Sequence, residues 1–265
     1  MDSPITYWGG KKLMARHILP LIPSHVTYCE PFFGGGAIFF SKEVSHVEVI
    51  NDLNHFVVNF FTQLKTNFAA LQKLIQATAF SRGLYKDALV MYENPHLFND
   101  VERAWSFWVL CNQGYAGKIG SWGYGTIDNK REYSINTKRQ MFLKAFEERL
   151  SRTQIENMDA VRIIELRDRP NTFFYVDPPY IDSAQGHYAG YTHIHYNQLL
   201  STLANLQGKF LLSSYPSEML DRYTKENGWY QIEIRQPTMA SPTRKEKVEV
   251  LTANYPIARG MLDLD

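Results

Sequence analysis

Asp177-Pro178-Pro179-Tyr180 follows the apolar run Thr172-Phe173-Phe174-Tyr175-Val176. A β-rich run closed by an acid and two prolines reads as a buried strand whose backbone is forced out of the sheet. Proline has no amide hydrogen, so neither ring can continue a ladder, and its fixed φ holds the neighbouring carbonyls in set directions. A carboxylate, a free backbone carbonyl and an aromatic ring are thereby gathered around one small space. Those groups suit a planar ring bearing an amine, with two acceptors for its N–H bonds and a face to stack on. Adenine extruded from a nucleic acid is such a ring. The plainer alternative is a strand-ending Asp-Pro turn.

A second motif, Glu30-Pro31-Phe32-Phe33-Gly34-Gly35-Gly36, follows the short strand Val26–Glu30. Open α/β sheets bind ligands at such strand tips, where glycines allow close backbone approach and the next helix offers free N–H groups. Asp52 ends the next strand, at the spacing where an acid accepts from ribose hydroxyls in nucleoside-binding sheets. An Asx turn or helix N-cap ahead of His55 would use the same residue. The chain lacks Gly-x-Gly-x-x-Gly, so a lone nucleoside fits better than a dinucleotide. Tyr7-Trp8-Gly9-Gly10-Lys11-Lys12 joins aromatics, a flexible pair and a basic doublet ahead of an amphipathic helix over Leu13–Leu19. Read by itself it is an exposed turn. Beside the other motifs, an aromatic that packs on a nucleoside and a Lys that pairs with a carboxylate become plausible.

The elements that position these residues alternate. Strands are expected at Val26–Glu30, Val47–Ile50, Thr172–Asp177, Lys209–Ser213, Trp229–Arg235 and Val248–Asn254. Helices are expected at Ala37–Lys42, His55–Ile75, Tyr196–Leu206 and Glu218–Glu226. From Phe80 to Leu150 the alternation stops in favour of the amphipathic run Val101–Cys111, a glycine-rich stretch Gly114–Gly125 and a helix over Thr137–Leu150. The pattern predicts an α/β sheet of mostly parallel strands interrupted by a mainly helical insertion.

Composition sets the outer limits. The chain has 265 residues, enough for one large domain or one carrying an insertion, and its 45% hydrophobic and 14% aromatic content supports a packed core. Cys29 and Cys111 stand in no paired spacing, which argues against a disulfide scaffold, a zinc knuckle or an iron–sulfur site and fits a reducing compartment. No apolar leader opens the chain and no stretch approaches a membrane span, so a cytoplasmic protein without membrane contact is expected. A net charge of +1 is low for a nucleic-acid binder, so any such contact must come from local basic patches.

Taken together, these motifs resemble the Dam-type DNA adenine methyltransferases. Tyr7 to Lys11 is similar to the family's aromatic-x-Gly-Gly-Lys motif, with Tyr7 where the best-known members carry Trp. Glu30 to Gly36 is similar to its Asp/Glu-Pro-Phe-x-Gly-Gly-Gly motif, Asn51-Asp52-Leu53-Asn54 to its second-strand acid motif, and Asp177 to Tyr180 to its catalytic tetrapeptide. The region around His195, the strand end Leu211-Leu212-Ser213-Ser214, and Arg244-x-x-Lys247-Val248-Glu249 before Asn254-Tyr255 continue the match in order. The resemblance implies a Rossmann-like class I methyltransferase sheet. Residues 1–56 and 165–265 would form the catalytic, S-adenosylmethionine-binding domain and residues 57–164 the target-recognition insertion. It implies S-adenosylmethionine held by Tyr7, Lys11, Glu30, Phe32, Gly34, Gly36, Asp52 and Asp177, with catalysis by Asp177, Pro178, Pro179 and Tyr180. Duplex DNA is the implied partner, with a cognate restriction endonuclease as a candidate second one and the bacterial, archaeal or phage nucleoid as the place of work.

Adenine's exocyclic amine is a poor nucleophile because its lone pair is delocalised. The Asp177 carboxylate and Pro178 carbonyl, accepting its two N–H bonds, would favour a pyramidal nitrogen aimed at the sulfonium methyl, with Tyr180 stacked on the base. No metal is required. Asp182, His187, His193 and His195 could be drawn as a cluster, but in an aromatic-rich loop such histidines are more often contacts or surface residues. Within the insertion Lys118, Lys130, Arg131, Lys138, Arg139 and Lys144 stand against Asp128 and Glu132, interleaved with Tyr115, Trp122, Tyr124 and Tyr133. Basic side chains suit phosphates and aromatics suit the gap left by a flipped base, so Lys118, Tyr124, Lys130, Arg131, Lys138 and Arg139 are the candidate DNA contacts. A solvated hairpin with core aromatics is the alternative, and Trp105 and Trp108 read as core. Three other functions share parts of the pattern. They are an RNA adenine or guanine base methyltransferase, a protein glutamine methyltransferase, which usually has Asn in place of Asp177, and a catalytically silent DNA-binding module.

Overall fold

The computed structural model describes residues 1–124, 131–181, 190–237 and 246–257. Seven strands, β1 (Thr27–Glu30), β2 (Val47–Asn51), β3 (Gln154–Glu156), β4 (Thr172–Val176), β5 (Lys209–Ser214), β6 (Tyr230–Pro237) and β7 (Glu246–Ala253), form one sheet in the order β3-β2-β1-β4-β5-β7-β6. The pairs β1–β2, β1–β4 and β4–β5 are parallel, and β7 runs antiparallel to both β5 and β6. Through β5 this is the doubly wound Rossmann order, whose direction of winding reverses between β1 and β4. The mostly parallel α/β sheet expected from the motifs is the one observed.

The helices are α1 (Ala15–Ile18), α2 (Ala37–Ser41), α3 (His55–Thr66), α4 (Phe68–Gln76), α5 (Arg82–Glu93), α6 (Asp100–Gln113), α7 (Arg131–Gln140), α8 (Ala145–Leu150), α9 (Ala160–Arg167), α10 (His193–Ala204) and α11 (Glu218–Asn227). Two expected helices prove to be pairs. The one over His55–Ile75 breaks at Asn67 (φ −133°, ψ 34°), whose amide still reaches Gln63 O at 2.8 Å and whose side chain bonds the Gln63 side chain at 2.6 Å. The one over Thr137–Leu150 ends as α7 at Gln140 and resumes as α8 at Ala145. The short strand β3 and the helices α5 and α9 add to the elements expected from the sequence. Among the described residues no helix is long and apolar enough to cross a membrane.

By its internal contacts the chain divides into two compact units. One contains Leu13–Phe32, Lys42–Asn51 and Met158–Asp265. Here β4 is buried along its whole length, as expected of a central parallel strand covered on both faces. Cys29, Val49, Phe174, Val176, Phe210 and Leu212 of the strands pack with Ile163 and Ile164 of α9, Leu199, Leu200 and Leu203 of α10, and Leu220 of α11. The other unit contains Met1–Lys12, Phe33–Ser41 and Asp52–Asn157. Its core is aromatic, with Phe33 edge-on to Phe61 at 4.7 Å and Phe40 edge-on to Phe146 at 5.5 Å. Helix α6, started by a capping box of Asn99 and Glu102, ties down the N-terminal segment. Its Asn112 accepts from Thr6 N at 3.0 Å, and Trp108 Nε1 donates to Pro4 O at 3.1 Å.

A buried ion pair closes the amino-terminal side of β2. Lys42 Nζ lies 2.5 Å from Glu48 Oε1, with the two side chains only 4% and 5% exposed, and 4.2 Å from the centre of the Tyr28 ring. Ser45 adds its amide to the same Glu48 oxygen at 3.1 Å. Losing one partner of such a pair strands the other charge in a dry place. Lys42→Met should therefore destabilise the chain by about 3–5 kcal/mol, measured by urea denaturation at neutral pH. A loss below about 1 kcal/mol, the value of an exposed pair, would show that the pair is solvated.

Candidate active site

Three segments with chemical content leave the carboxyl ends of the adjacent parallel strands β2, β1 and β4. After β4, Asp177 is partly buried and Pro178 buried. Tyr180 Oη lies 3.2 Å from Asp177 Oδ1 and 2.9 Å from Ser213 Oγ, and its ring meets Tyr215 edge-on at 4.4 Å and 61°. Burial, then the charges of Asp177 and Glu249, raise the Tyr180 phenol well above its ordinary range, so it stays protonated at neutral pH. Tyr175, inside β4, is raised for the same reasons, burial first and then the charges of Asp177, Glu30 and Glu249. Glu30, 2% exposed at the end of β1, accepts from Tyr28 Oη at 2.7 Å. Phe32 meets Tyr191 edge-on at 6.2 Å. Asn51, 1% exposed, binds Pro31 O at 2.9 Å and both backbone groups of Met158 at 3.0 Å, joining the loops that follow β1 and β3.

In the other unit Gly34 and Gly36 have φ of +50° and +67°, the left-handed region that favours glycine. A Cβ on Gly36 would stand 2.4 Å from Phe33 Cζ, and one on Gly35 would stand 2.8 Å from Tyr7 Cβ. Tyr7 is 8% exposed, packed on the glycine loop and 6.2 Å from the Phe107 ring. Lys11, 7% exposed, donates to Gly9 O at 3.2 Å. Asp52, 2% exposed, accepts Gly34 N on Oδ2 at 2.7 Å and Asn54 N on Oδ1 at 2.9 Å. The cap of α3 is Asn54, whose Oδ1 accepts Phe56 N at 3.0 Å. Asp52 therefore makes an Asx turn and fastens the glycine loop, and it is not the helix cap.

The basic residues of the insertion divide. Lys118 is exposed with Nζ 6.0 Å from the Trp8 ring, and Tyr124 is 62% exposed. Trp122 stacks on Phe80 at 5.3 Å beneath the Arg82 guanidinium at 4.6 Å, as a core aromatic would. Lys138 donates to Ser3 O at 3.3 Å and its ammonium is lowered by burial. Arg139 donates to Thr78 O at 2.7 Å and Gln76 O at 3.4 Å, holding the end of α4. Lys130, the Arg131 side chain, Asp182, His187 and Arg244 lie outside the described residues. His195 Nδ1 accepts Thr192 N at 3.1 Å at the start of α10. Asn51 and Ser213 belong to matched motifs without an expected site role, and Tyr215 carries no sequence signal that marks it.

A model of the D12 class N6 adenine-specific DNA methyltransferases matches residues 7–256. The chain belongs to this family. It is 26% identical to the Type II methyltransferase M1.LlaDCHI of Lactococcus lactis subsp. cremoris, over 95% of each chain. It is also 25% identical to the DNA N-6-adenine-methyltransferase of Escherichia phage P1, over 68% of this chain and 24% of that one. Against the Type II methyltransferase M.FokI of Planomicrobium okeanokoites the identity is 23%, over 96% of this chain and 43% of that one. This D12 methyltransferase is an adenine-specific DNA methyltransferase whose methyl donor is S-adenosylmethionine. The left-handed glycines turn its loop tightly, and a side chain at Gly35 or Gly36 would strike Tyr7 or Phe33. Asp52 is a hydrogen-bonded acceptor at its edge, with lone pairs beyond those its two amide donors use.

Burial pushes the Asp52 carboxyl from 3.8 up to about 6, against the pull of the Asn54, Gly34 and Leu53 amides. The folded chain thus holds this proton more tightly than the unfolded chain does. Stability from this group is greatest below 3.8 and falls as the pH climbs to about 6. Asp52→Asn, which cannot ionise, should gain on the wild type in urea-denaturation stability between about pH 4 and about pH 7. A difference that stays flat across that window would mean the carboxyl titrates as an exposed group.

Proposed function

We propose that this D12 methyltransferase acts on an adenine flipped out of a specific site in duplex DNA, and that Asp177, Pro178, Pro179 and Tyr180 form the reacting centre. The observation that carries the reading is the contact of Tyr180 Oη with Asp177 Oδ1 at 3.2 Å, which puts the stacking ring and the accepting carboxylate in one short loop. The donor supplies an electrophilic methyl on sulfur. The Asp177 carboxylate accepts one N–H of the adenine amine and the Pro178 carbonyl the other, so the nitrogen lone pair is turned out of conjugation toward that methyl. The N–C bond forms as the C–S bond breaks, and the nitrogen releases one proton toward the Asp177 side. Tyr180 holds the plane of the base. Positioning and a fixed negative charge beside a developing positive one supply the catalysis.

Tyr7, Lys11, Glu30, Phe32, Gly34, Gly36 and Asp52 are the residues proposed for the donor, with Asp52 on its ribose hydroxyls. Residues 57–164 are proposed to read the target and residues 1–56 and 165–265 to carry the chemistry. Lys118, Tyr124, Lys130 and Arg131 are proposed to meet DNA first. Lys138 and Arg139, which also brace neighbouring backbone, would add charge behind them. A cognate restriction endonuclease is proposed as a partner and nucleoid DNA as the place of work.

Asp177→Ala should slow methyl transfer to duplex DNA by about two orders of magnitude while the fold survives, since the residue follows a strand end. A near-wild-type rate would remove Asp177 from the centre, and labelling of ribosomal RNA in preference to DNA would move the substrate. Donor affinity, followed by calorimetry, should weaken below about pH 6 as Asp52 takes up its proton, and Asp52→Ala should weaken it by about 1–3 kcal/mol at neutral pH. Neutralising Lys130 and Arg131 together should loosen DNA of every sequence. It should also flatten the log–log salt slope by up to about one unit per charge, without touching donor binding.

A further inference from the structure

We propose that Ser213 and Tyr215, at the carboxyl end of β5, are positioning residues that lock Tyr180 in the plane where it receives the target base. This rests on the reading of Tyr180 and Asp177 given above.

Ser213 is fully buried and its Oγ stands 2.9 Å from Tyr180 Oη, which lies 3.2 Å from Asp177 Oδ1. A carboxylate can only accept, and a phenol has a single proton to give. The chain therefore has one direction, with Ser213 donating to Tyr180 and Tyr180 donating to Asp177. Each bond polarises the next. The raised phenol of Tyr180 keeps this direction from reversing near neutral pH.

The two contacts restrain different motions of one ring. A tether at the phenol oxygen fixes where the long axis of the side chain points. Rotation about that axis is checked by Tyr215, whose ring lies 4.4 Å away at 61°. A stacking platform held in both respects before the base arrives loses little freedom on binding, and the base inherits its orientation toward the methyl.

The experiment is single-turnover methylation of duplex DNA carrying the mapped target, with Ser213→Ala, Tyr180→Phe and the double variant of the full chain. Each single change should slow transfer about fivefold to tenfold with dissociation constants for donor and DNA unchanged. The double variant should be no slower than Tyr180→Phe, because that change already removes the bond that Ser213→Ala cuts. Tyr215→Leu should slow transfer by a similar factor and Tyr215→Phe should restore it. With 2-aminopurine at the target position, Ser213→Ala should leave the flipped base brighter than the wild type does, since a looser ring quenches it less. Single variants at the wild-type rate, or effects that multiply in the double variant, would overturn the proposal. Should Tyr180→Ala itself transfer at the wild-type rate, the assignment of Tyr180 to the base fails instead, a result these variants separate from the first.

Discussion

Where parallel strands end, their backbone amides and carbonyls lose their ladder partners, and the loops that follow depend on side chains to replace them. Two consecutive residues at the end of β2 supply such replacements. Asn51 satisfies Pro31 O and both backbone groups of Met158, and Asp52 satisfies Gly34 N and Asn54 N. Buried backbone groups without partners would cost more than a loop of this length can recover. The Asp52 bond to Gly34 N holds a loop in which Gly34 and Gly36 take left-handed φ and Gly35 packs against Tyr7.

The same economy governs the buried acids. Glu48 is matched by a full counter-charge from Lys42 and has no part in the chemistry. Glu30 is met by a neutral phenol, and Asp52 by backbone amides alone. Amides stabilise a carboxylate less completely than an ammonium does, which is why burial wins at Asp52 and lifts its carboxyl to about 6. An acid left in that condition has more to gain from a ligand bearing hydroxyl donors than one already paired. Groups under such tension concentrate at functional sites.

The parts of the fold legible in the sequence are those with strong local physics. β4 could be recognised because a strand covered on both faces must be apolar throughout, and its end because prolines cannot extend a ladder. Asp52 and the glycine loop were legible through spacing. The break at Asn67 was not, because asparagine is compatible with both helix and turn and nothing beside it in the chain marks its non-helical backbone. Arg139 and Lys138 read as phosphate contacts because composition reveals charge and not direction, whereas the structure sends both toward backbone carbonyls. Ser213 stands in a matched strand end, but its place beside Tyr180, like that of Tyr215, follows from the pairing of β4 with β5.

The anchoring of the N-terminal segment to α6 has a consequence for synthesis. Pro4 is held by Trp108, 104 residues downstream, and Thr6 by Asn112, 106 residues downstream. On the ribosome this segment emerges long before the helix that receives it. The strand unit has its own long wait, since Tyr255 Oη reaches back to Leu21 O at 2.8 Å, across 234 residues. Contacts of such sequence separation form late and slow folding. The nascent chain therefore carries the segment around Pro4 and Thr6 undocked until Trp108 and Asn112 have been made, and Leu21 O waits for Tyr255 near the end of synthesis.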